Sequence, residues 1–263
     1  MTLFPRFFQR VNAGLLICLL LCAGQVQATP VLQVAAAADL AQCIDELNAG
    51  FSAAHGDAVV TSSIGSSGNF YAQITNGAPF DVFLSADLAY PVALARAGHA
   101  DLSSLITYAH GQLVLWTADA TLDPSIGFKL FEDVRVKRIA LANPDLAPYG
   151  RAARDALRHA GVWEGILPRL VFGDNVAQTG QFIATGNAQV GLVSAAHFKP
   201  GTVRPGRSWP VPQSWYPLIE QGAIVTATGR ANPLARQYVA FLRSDAGRTI
   251  LRRYGFVLPE LPR

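Results

Sequence analysis

Ser66-Ser67-Gly68-Asn69-Phe70 stands between a β-branched run, Ala58 to Ile64, and a segment of helical patterning, Phe70-Tyr71-Ala72-Gln73-Ile74. The order is strand, tight turn, helix start. The first turn of a helix carries N–H groups without intrahelical partners, and the macrodipole places partial positive charge at the same end. Serine hydroxyls add donors there, and glycine lets a ligand approach the backbone because no Cβ intervenes. Such a corner suits an anion. Serine and asparagine are also ordinary N-caps, so one corner by itself does not separate a binding site from a capped helix.

Similar corners recur at three other places. Val34-Ala35-Ala36-Ala37-Ala38-Asp39-Leu40 leads into the amphipathic segment Ala41 to Ala54. Ile139-Ala140-Leu141-Ala142 is followed by Asn143-Pro144, and Pro148-Tyr149-Gly150 then opens a helix through Leu157 and His159 to a stop at Gly161. Leu170-Val171-Phe172 runs through Gly173-Asp174-Asn175-Val176-Ala177 into Gln178 to Thr185. Strands alternating with helices in this way predict an α/β fold.

The N-terminus falls outside that pattern. Arg6 and Arg10 precede an apolar run from Val11 to Ala23, and Val26-Gln27-Ala28 has the small-x-small form of a signal-peptidase site. The run is shorter than the roughly 20 residues that span a bilayer. A cleaved signal peptide over 1–28 is therefore expected, with export to the periplasm. A lipoprotein anchor at Cys22 is the weaker alternative, because Leu21 stands where a small residue is wanted. Export removes Cys18 and Cys22 and leaves Cys43 alone, so no internal disulfide can form. Spaced with Leu40 and Leu47 on an apolar face, Cys43 reads as a small core residue. Arg6 and Arg10 are the only charges among the first 28 residues, so their loss takes the formal charge from +3 to +1. The remaining basic residues, Arg248, Arg252 and Arg253 among them, are scattered; no basic stripe with interleaved aromatics marks a nucleic-acid surface.

The rest of the chain divides into two lobes. The first runs over 29–110, the second over 111–222 beginning with Gly111-Gln112-Leu113-Val114-Leu115-Trp116, and 223–263 returns to the first after the connector Trp209-Pro210-Val211-Pro212. The return strand is Gly222-Ala223-Ile224-Val225-Thr226, followed by helices opened by Asn232-Pro233 and Ser244-Asp245. Trp116, Trp209 and Trp215 read as core or hinge packing, and the absence of heptads predicts a monomer.

Five segments in this order carry a resemblance: Ala35 to Leu40, Gly65 to Asn69, Gly77-Ala78-Pro79-Phe80-Asp81-Val82-Phe83-Leu84-Ser85-Ala86-Asp87, Asn143-Pro144 to Gly150, and Arg253-Tyr254-Gly255-Phe256. Together they resemble the periplasmic molybdate-binding proteins of bacterial ABC importers, over essentially the whole exported chain. The resemblance implies a type II periplasmic binding-protein fold: two α/β lobes, a two-stranded hinge, and a cleft that holds molybdate or tungstate for a membrane permease. It implies a ligand but no cofactor. Carried onto this chain, the ligand donors are the Ala38-Asp39 turn, Ser67, the Tyr149 amide and the Val176 amide, with Ser66 and Ser194 as further candidates.

Two positions depart from the family's pattern. Where some members offer Ser, Thr or Asn in the first loop, this chain has Ala38 and Asp39. An ionised carboxylate 4 Å from a unit negative charge is repelled by about 4 kcal/mol at an effective dielectric near 20. The Asp39 side chain is therefore expected to turn away and cap its own helix while its amide serves the ligand. Where some relatives place a tyrosine, this chain has Ser194, and its part is left open.

Other readings remain. The same fold can carry sulfate, thiosulfate, phosphate or a small organic anion; for protonated phosphate Asp39 is the sole acceptor candidate. A serine hydrolase would pair Ser67 with His55, His99, His110, His159 or His197. The nucleophile-elbow spacing fails, because Asn69 stands two residues after Ser67. Neither zinc-helix nor phosphate-loop motifs occur, and Asp81 and Asp87 read as structural, Asp87 as an N-cap.

Overall fold

The computed structural model describes residues 31–56, 58–197 and 206–260. The expected signal peptide over 1–28 lies outside these, as do the last residues of the returning segment. In chain order the elements are β1 (Val31–Ala37), α1 (Ile44–Ala54), β2 (Val59–Gly65), α2 (Ser67–Thr75), β3 (Val82–Ser85), α3 (Ala89–Arg96), β4 (Ile106–Gly111), β5 (Leu113–Thr117), β6 (Ile139–Ala142), α4 (Pro148–His159), α5 (Trp163–Ile166), β7 (Leu170–Gly173), α6 (Val176–Ala184), β8 (Val190–Ser194), β9 (Arg207–Pro210), β10 (Ile219–Val225), α7 (Pro233–Phe241) and α8 (Asp245–Arg253).

The strands form two five-stranded sheets, β2-β1-β3-β10-β4 and β7-β6-β8-β5-β9. Each has the same plan. Three parallel strands, joined through helices, are followed by two strands of mixed origin, the first of which pairs antiparallel with its neighbours. The chain crosses between sheets twice, at Gln112 between β4 and β5 and again between β9 and β10. This is the expected α/β architecture with two crossing segments. The return differs in detail: β10 already pairs with Gly111 at Ile219, ahead of the expected boundary at 222.

Helices cover both faces of the first sheet, so its strands are apolar on both sides. Leu32, Val34 and Ala36 of β1 face one core with Leu47 and Phe51 of α1, Tyr238 of α7 and Leu251 of α8. Ala35 faces the other, with Phe70 of α2, Phe83 of β3 and Leu94 of α3. Cys43 is buried in the first of these cores, as its spacing predicts. In the second half, Leu115, Leu141 and Leu192 of the sheet pack with Ala153 and Leu157 of α4 and with Trp116. Trp209 and Trp215 instead gather around Phe128 at the edge of that core, and His159 in the last turn of α4 stacks on Trp215.

Candidate functional site

Strands β1, β2 and β3 of the first sheet and β6 and β7 of the second end toward one place, the location where open α/β sheets bind ligands. A small cavity there is lined by Ala37, Ala38 and Asp39 after β1, Gly65, Ser66 and Ser67 after β2, and Ala86 after β3. From the second sheet come Ala147, Pro148 and Tyr149, and Asn175 and Val176. The two halves therefore build it jointly. Of the residues singled out in the sequence, Ala38, Asp39, Ser66, Ser67, Tyr149 and Val176 meet here, whereas Ser194 does not line the cavity.

The local chemistry of each corner follows from how its helix begins. At α2 the Ser66 hydroxyl accepts the Asn69 amide at 3.3 Å, acting as the N-cap. Ser67, the first helical residue, accepts the Ala86 amide through its hydroxyl oxygen at 2.9 Å. With that lone pair engaged, the Ser67 O–H is left to donate. At α4 the cap residue Ala147 has no side-chain acceptor, and Pro148 at the first position contributes no N–H. The first available amide of that helix is therefore that of Tyr149. At α6 the Asn175 side chain accepts from Ala177 and Gln178, both at 3.0 Å, which leaves Val176 as the uncapped first-turn amide. After β1 the chain does not enter the expected helix directly. A 3-10 turn, Ala38–Gln42, comes first, and α1 begins only after Cys43.

Asp39 is 3 % exposed, and its carboxylate lies by the first amides of its own turn and also reaches Gln221, a partner that its sequence neighbourhood did not suggest. Oδ2 accepts a short hydrogen bond from Gln221 Nε2, and the Tyr149 hydroxyl and the Asp39 and Leu40 amides also stand at the carboxylate. Burial outweighs Gln221, Tyr149 and the local amides, and raises its pKa from the ordinary carboxylate value to about 6. The Gln221 carbonyl in turn accepts the Tyr108 hydroxyl at 2.7 Å. Tyr149 extends the network from the other half: its hydroxyl accepts from Ser194 at 2.9 Å and Gln221 at 3.3 Å, and faces Asp39. Ser194 also accepts the Ala196 amide, so it holds Tyr149 in place. Gly111, at the crossing, is required here, because a Cβ would overlap the Tyr149 hydroxyl.

Two further contacts join the halves near the cavity. The Gly68 amide donates to the Leu146 carbonyl at 2.9 Å, an approach so close that a Cβ on Gly68 would stand 2.7 Å from that oxygen and from the Tyr90 hydroxyl. Arg151 on α4 forms a short ion pair with Asp87 and a 3.2 Å hydrogen bond to Tyr90 Oη, over whose ring its guanidinium lies. Asp87 caps α3 through the Tyr90 amide, as expected, and takes this second role besides. Asp81 is structural, accepting the Gln33 amide and the Asn232 side chain.

Among the described residues no cation lines the cavity, and Asp39 and Tyr149 are the only ionisable residues that do. Among the described residues no histidine lines it either. His55 hydrogen-bonds the Phe51 carbonyl, and His197 packs against Trp116 and Gly180. Among the described residues no cluster of three metal-ligating side chains occurs. The arrangement can hold a small anion by amides and hydroxyls.

Comparison with known proteins agrees with this geometry. The model of the bacterial extracellular solute-binding proteins matches residues 32–257. The molybdate-binding protein ModA of Rhodobacter capsulatus is 41% identical over 225 residues, 85% of this chain and 86% of its own. That of Azotobacter vinelandii is 38% identical, covering 96% and 97%. The solved periplasmic molybdate-binding protein of A. vinelandii superposes with a TM-score of 0.83 at 34% identity, over 87% of this chain and 100% of that one.

Proposed function

Since the chain belongs to the bacterial extracellular solute-binding proteins, and within them to the periplasmic molybdate-binding proteins of ABC transporters, we infer that the cavity at the strand ends is its molybdate site. The observation that carries this reading is the convergence of uncapped first-turn amides from both sheets on one small cavity without a cation. The donors would be the amides of the Ala38-Asp39 turn, Tyr149 and Val176 and the hydroxyl of Ser67, with Ser66 held mainly as a cap. Each hydrogen bond to a charged ligand contributes about 1.5–3 kcal/mol, so four or five fixed dipoles can hold a dianion without a counter-ion.

Tungstate, of nearly the same size, would bind alike, and smaller sulfate would leave donors out of reach. The ion is carried unchanged, as in a transport protein, by a monomer that delivers it to a membrane permease in its closed form. The clasp between Arg151 and Asp87 and the bond from Gly68 to Leu146 would belong to that form. Export by a cleaved signal peptide completes the proposal. Hydrogen phosphate is the second reading, favoured by one observation, the carboxyl-bearing Asp39 on the turn that lines the cavity. Calorimetric titration with molybdate, tungstate, sulfate and phosphate tests both. One-to-one binding of molybdate and tungstate without a sulfate response is expected; silence for both metal oxyanions with heat from another anion would overturn the assignment.

A further inference from the structure

The start of α4 is seated against the first half of the molecule at two bare positions. At one, the Gly68 amide donates to the Leu146 carbonyl at 2.9 Å. At the other, Gly111 leaves room for the Tyr149 hydroxyl, which Ser194 and Gln221 hold at 2.9 and 3.3 Å. Leu146 and Tyr149 are close in the chain, so the Tyr149 amide, on the second wall of the cavity, is placed by contacts with the first half on either side.

On the facing side, α2 spends its first amides in a way that sets Gly68 apart. The Asn69 amide goes to the Ser66 hydroxyl and the Phe70 amide to the Ser66 carbonyl, as in an ordinary capped helix. The Gly68 amide instead leaves its own half and meets the backbone of the other. Its neighbour Ser67 lines the first wall. One backbone hydrogen bond thus ties the separation of Ser67 and Tyr149, on opposite walls, to a contact that at 2.9 Å closes no further. A smaller anion cannot draw the walls in after it. In the other direction, a Cβ on residue 68 would stand 2.7 Å from the Leu146 oxygen and 3.1 Å from its Cα, backbone atoms that do not swing aside as a side-chain end does. Resting on the molybdate reading above, we propose that Gly68 sets the width of the closed cleft: its amide is the stop against which the halves close, and its missing side chain lets them close far enough for both walls to reach one tetrahedral oxyanion.

The distances give the size of the effect. To accommodate a Cβ on residue 68, Leu146 must retreat from 2.7 Å to an ordinary contact distance of at least 3.4 Å. A shift of that size takes a 2.9 Å hydrogen bond to about 3.6 Å, outside hydrogen-bonding range. The first wall keeps its donors and the second falls out of reach. Within its own half the substitution is mild, because Gly68 is helical without a positive φ and alanine is the better helix former. The atom of that half nearest to the added carbon is the Tyr90 hydroxyl, the movable end of a side chain.

Calorimetry and stopped-flow binding of molybdate to the parent protein, Gly68→Ala, Tyr90→Phe and the double variant, with urea unfolding of each without ligand, test it. Gly68→Ala is expected to bind molybdate about tenfold more weakly or worse, with the loss in a faster off-rate and association within about twofold of the parent. Its ligand-free stability is expected to equal or exceed that of the parent. Saturating molybdate should slow amide exchange at residue 68 in the parent and much less in the variant. Adding Tyr90→Phe should not restore binding, since the Leu146 carbonyl remains in the way. Parent-like affinity in Gly68→Ala, or recovery of binding in the double variant, would overturn the inference while leaving the molybdate assignment standing. So would a ligand-free Gly68→Ala protein destabilised by as much as its binding is weakened, because residue 68 would then serve folding and not closure. Absence of molybdate binding by the parent protein would overturn both.

Discussion

The first half of the molecule brings side chains to the cavity, and the second brings only backbone. From the first come Ser66, Ser67 and Asp39, and of these the Ser67 O–H is left to donate. In the second, every polar side chain at the rim is engaged elsewhere: Asn175 caps α6, and the Tyr149 hydroxyl reaches across to Ser194 and Gln221. Ala147, Pro148 and Val176 have no side-chain donor at all. One wall can therefore be retuned by point substitution, while the other is set by where two helices begin.

This contrast can be broken most forcefully at Asp39. Its folded-state acidity constant is raised from the ordinary carboxylate value to about 6, so its contribution to stability is complete below about pH 4 and lost as pH rises through 6. A shift of about two units is worth about 3 kcal/mol. The ligand-free Asp39→Asn protein should consequently gain up to about 3 kcal/mol over the parent at pH 8 and almost nothing at pH 4. Urea unfolding at the two pH values reads this, and an equal effect at both would refute it.

Next in size is Ser67→Ala, which removes a buried donor and also the acceptor of the Ala86 amide. It should weaken molybdate binding by about 1–3 kcal/mol, with the fold intact by circular dichroism. Unchanged affinity would show that the first wall, too, acts through backbone alone.

Arg151→Ala opens the clasp without touching the donors. The pair is partly exposed, so a cost of about 0.5–1 kcal/mol is expected, read by stopped-flow release as a severalfold faster off-rate with little change in association. The smallest effect is predicted for Val176→Ala, which keeps the amide; its affinity should stay within about 0.5 kcal/mol of the parent. A large loss there would mean that the second wall reads the ligand through side-chain packing.

Much of this wall-by-wall plan was legible in the chain. Strand, turn and helix at each corner are local patterns, so Ser66-Ser67-Gly68, Pro148-Tyr149 and Asn175-Val176 identified themselves by cap chemistry and proline position. The 3-10 turn after β1 was not legible, because Ala38 to Gln42 has helical composition and only packing decides how tightly the first turn winds. Nor was the start of the return strand at Ile219, which is set by pairing with Gly111 more than a hundred residues earlier.

Asp39 shows the limit most clearly. Its own neighbourhood in the chain suggested a cap facing away from the ligand, and beyond the local amides its partners, Gln221, Tyr149 and through them Tyr108, come from distant strands and from the opposite half. Ser194 likewise proved to support Tyr149 from a position that spacing could not assign. The sequence by itself determined the repeated α/β corners, the donors they expose and the burial of Cys43, since each depends on contacts a few residues long. Tertiary structure alone decided which donors share a cavity, how the two halves meet over it, and which distant side chains hold the buried Asp39 carboxylate. Those depend on desolvation and on hydrogen bonds closed between strands far apart in the chain.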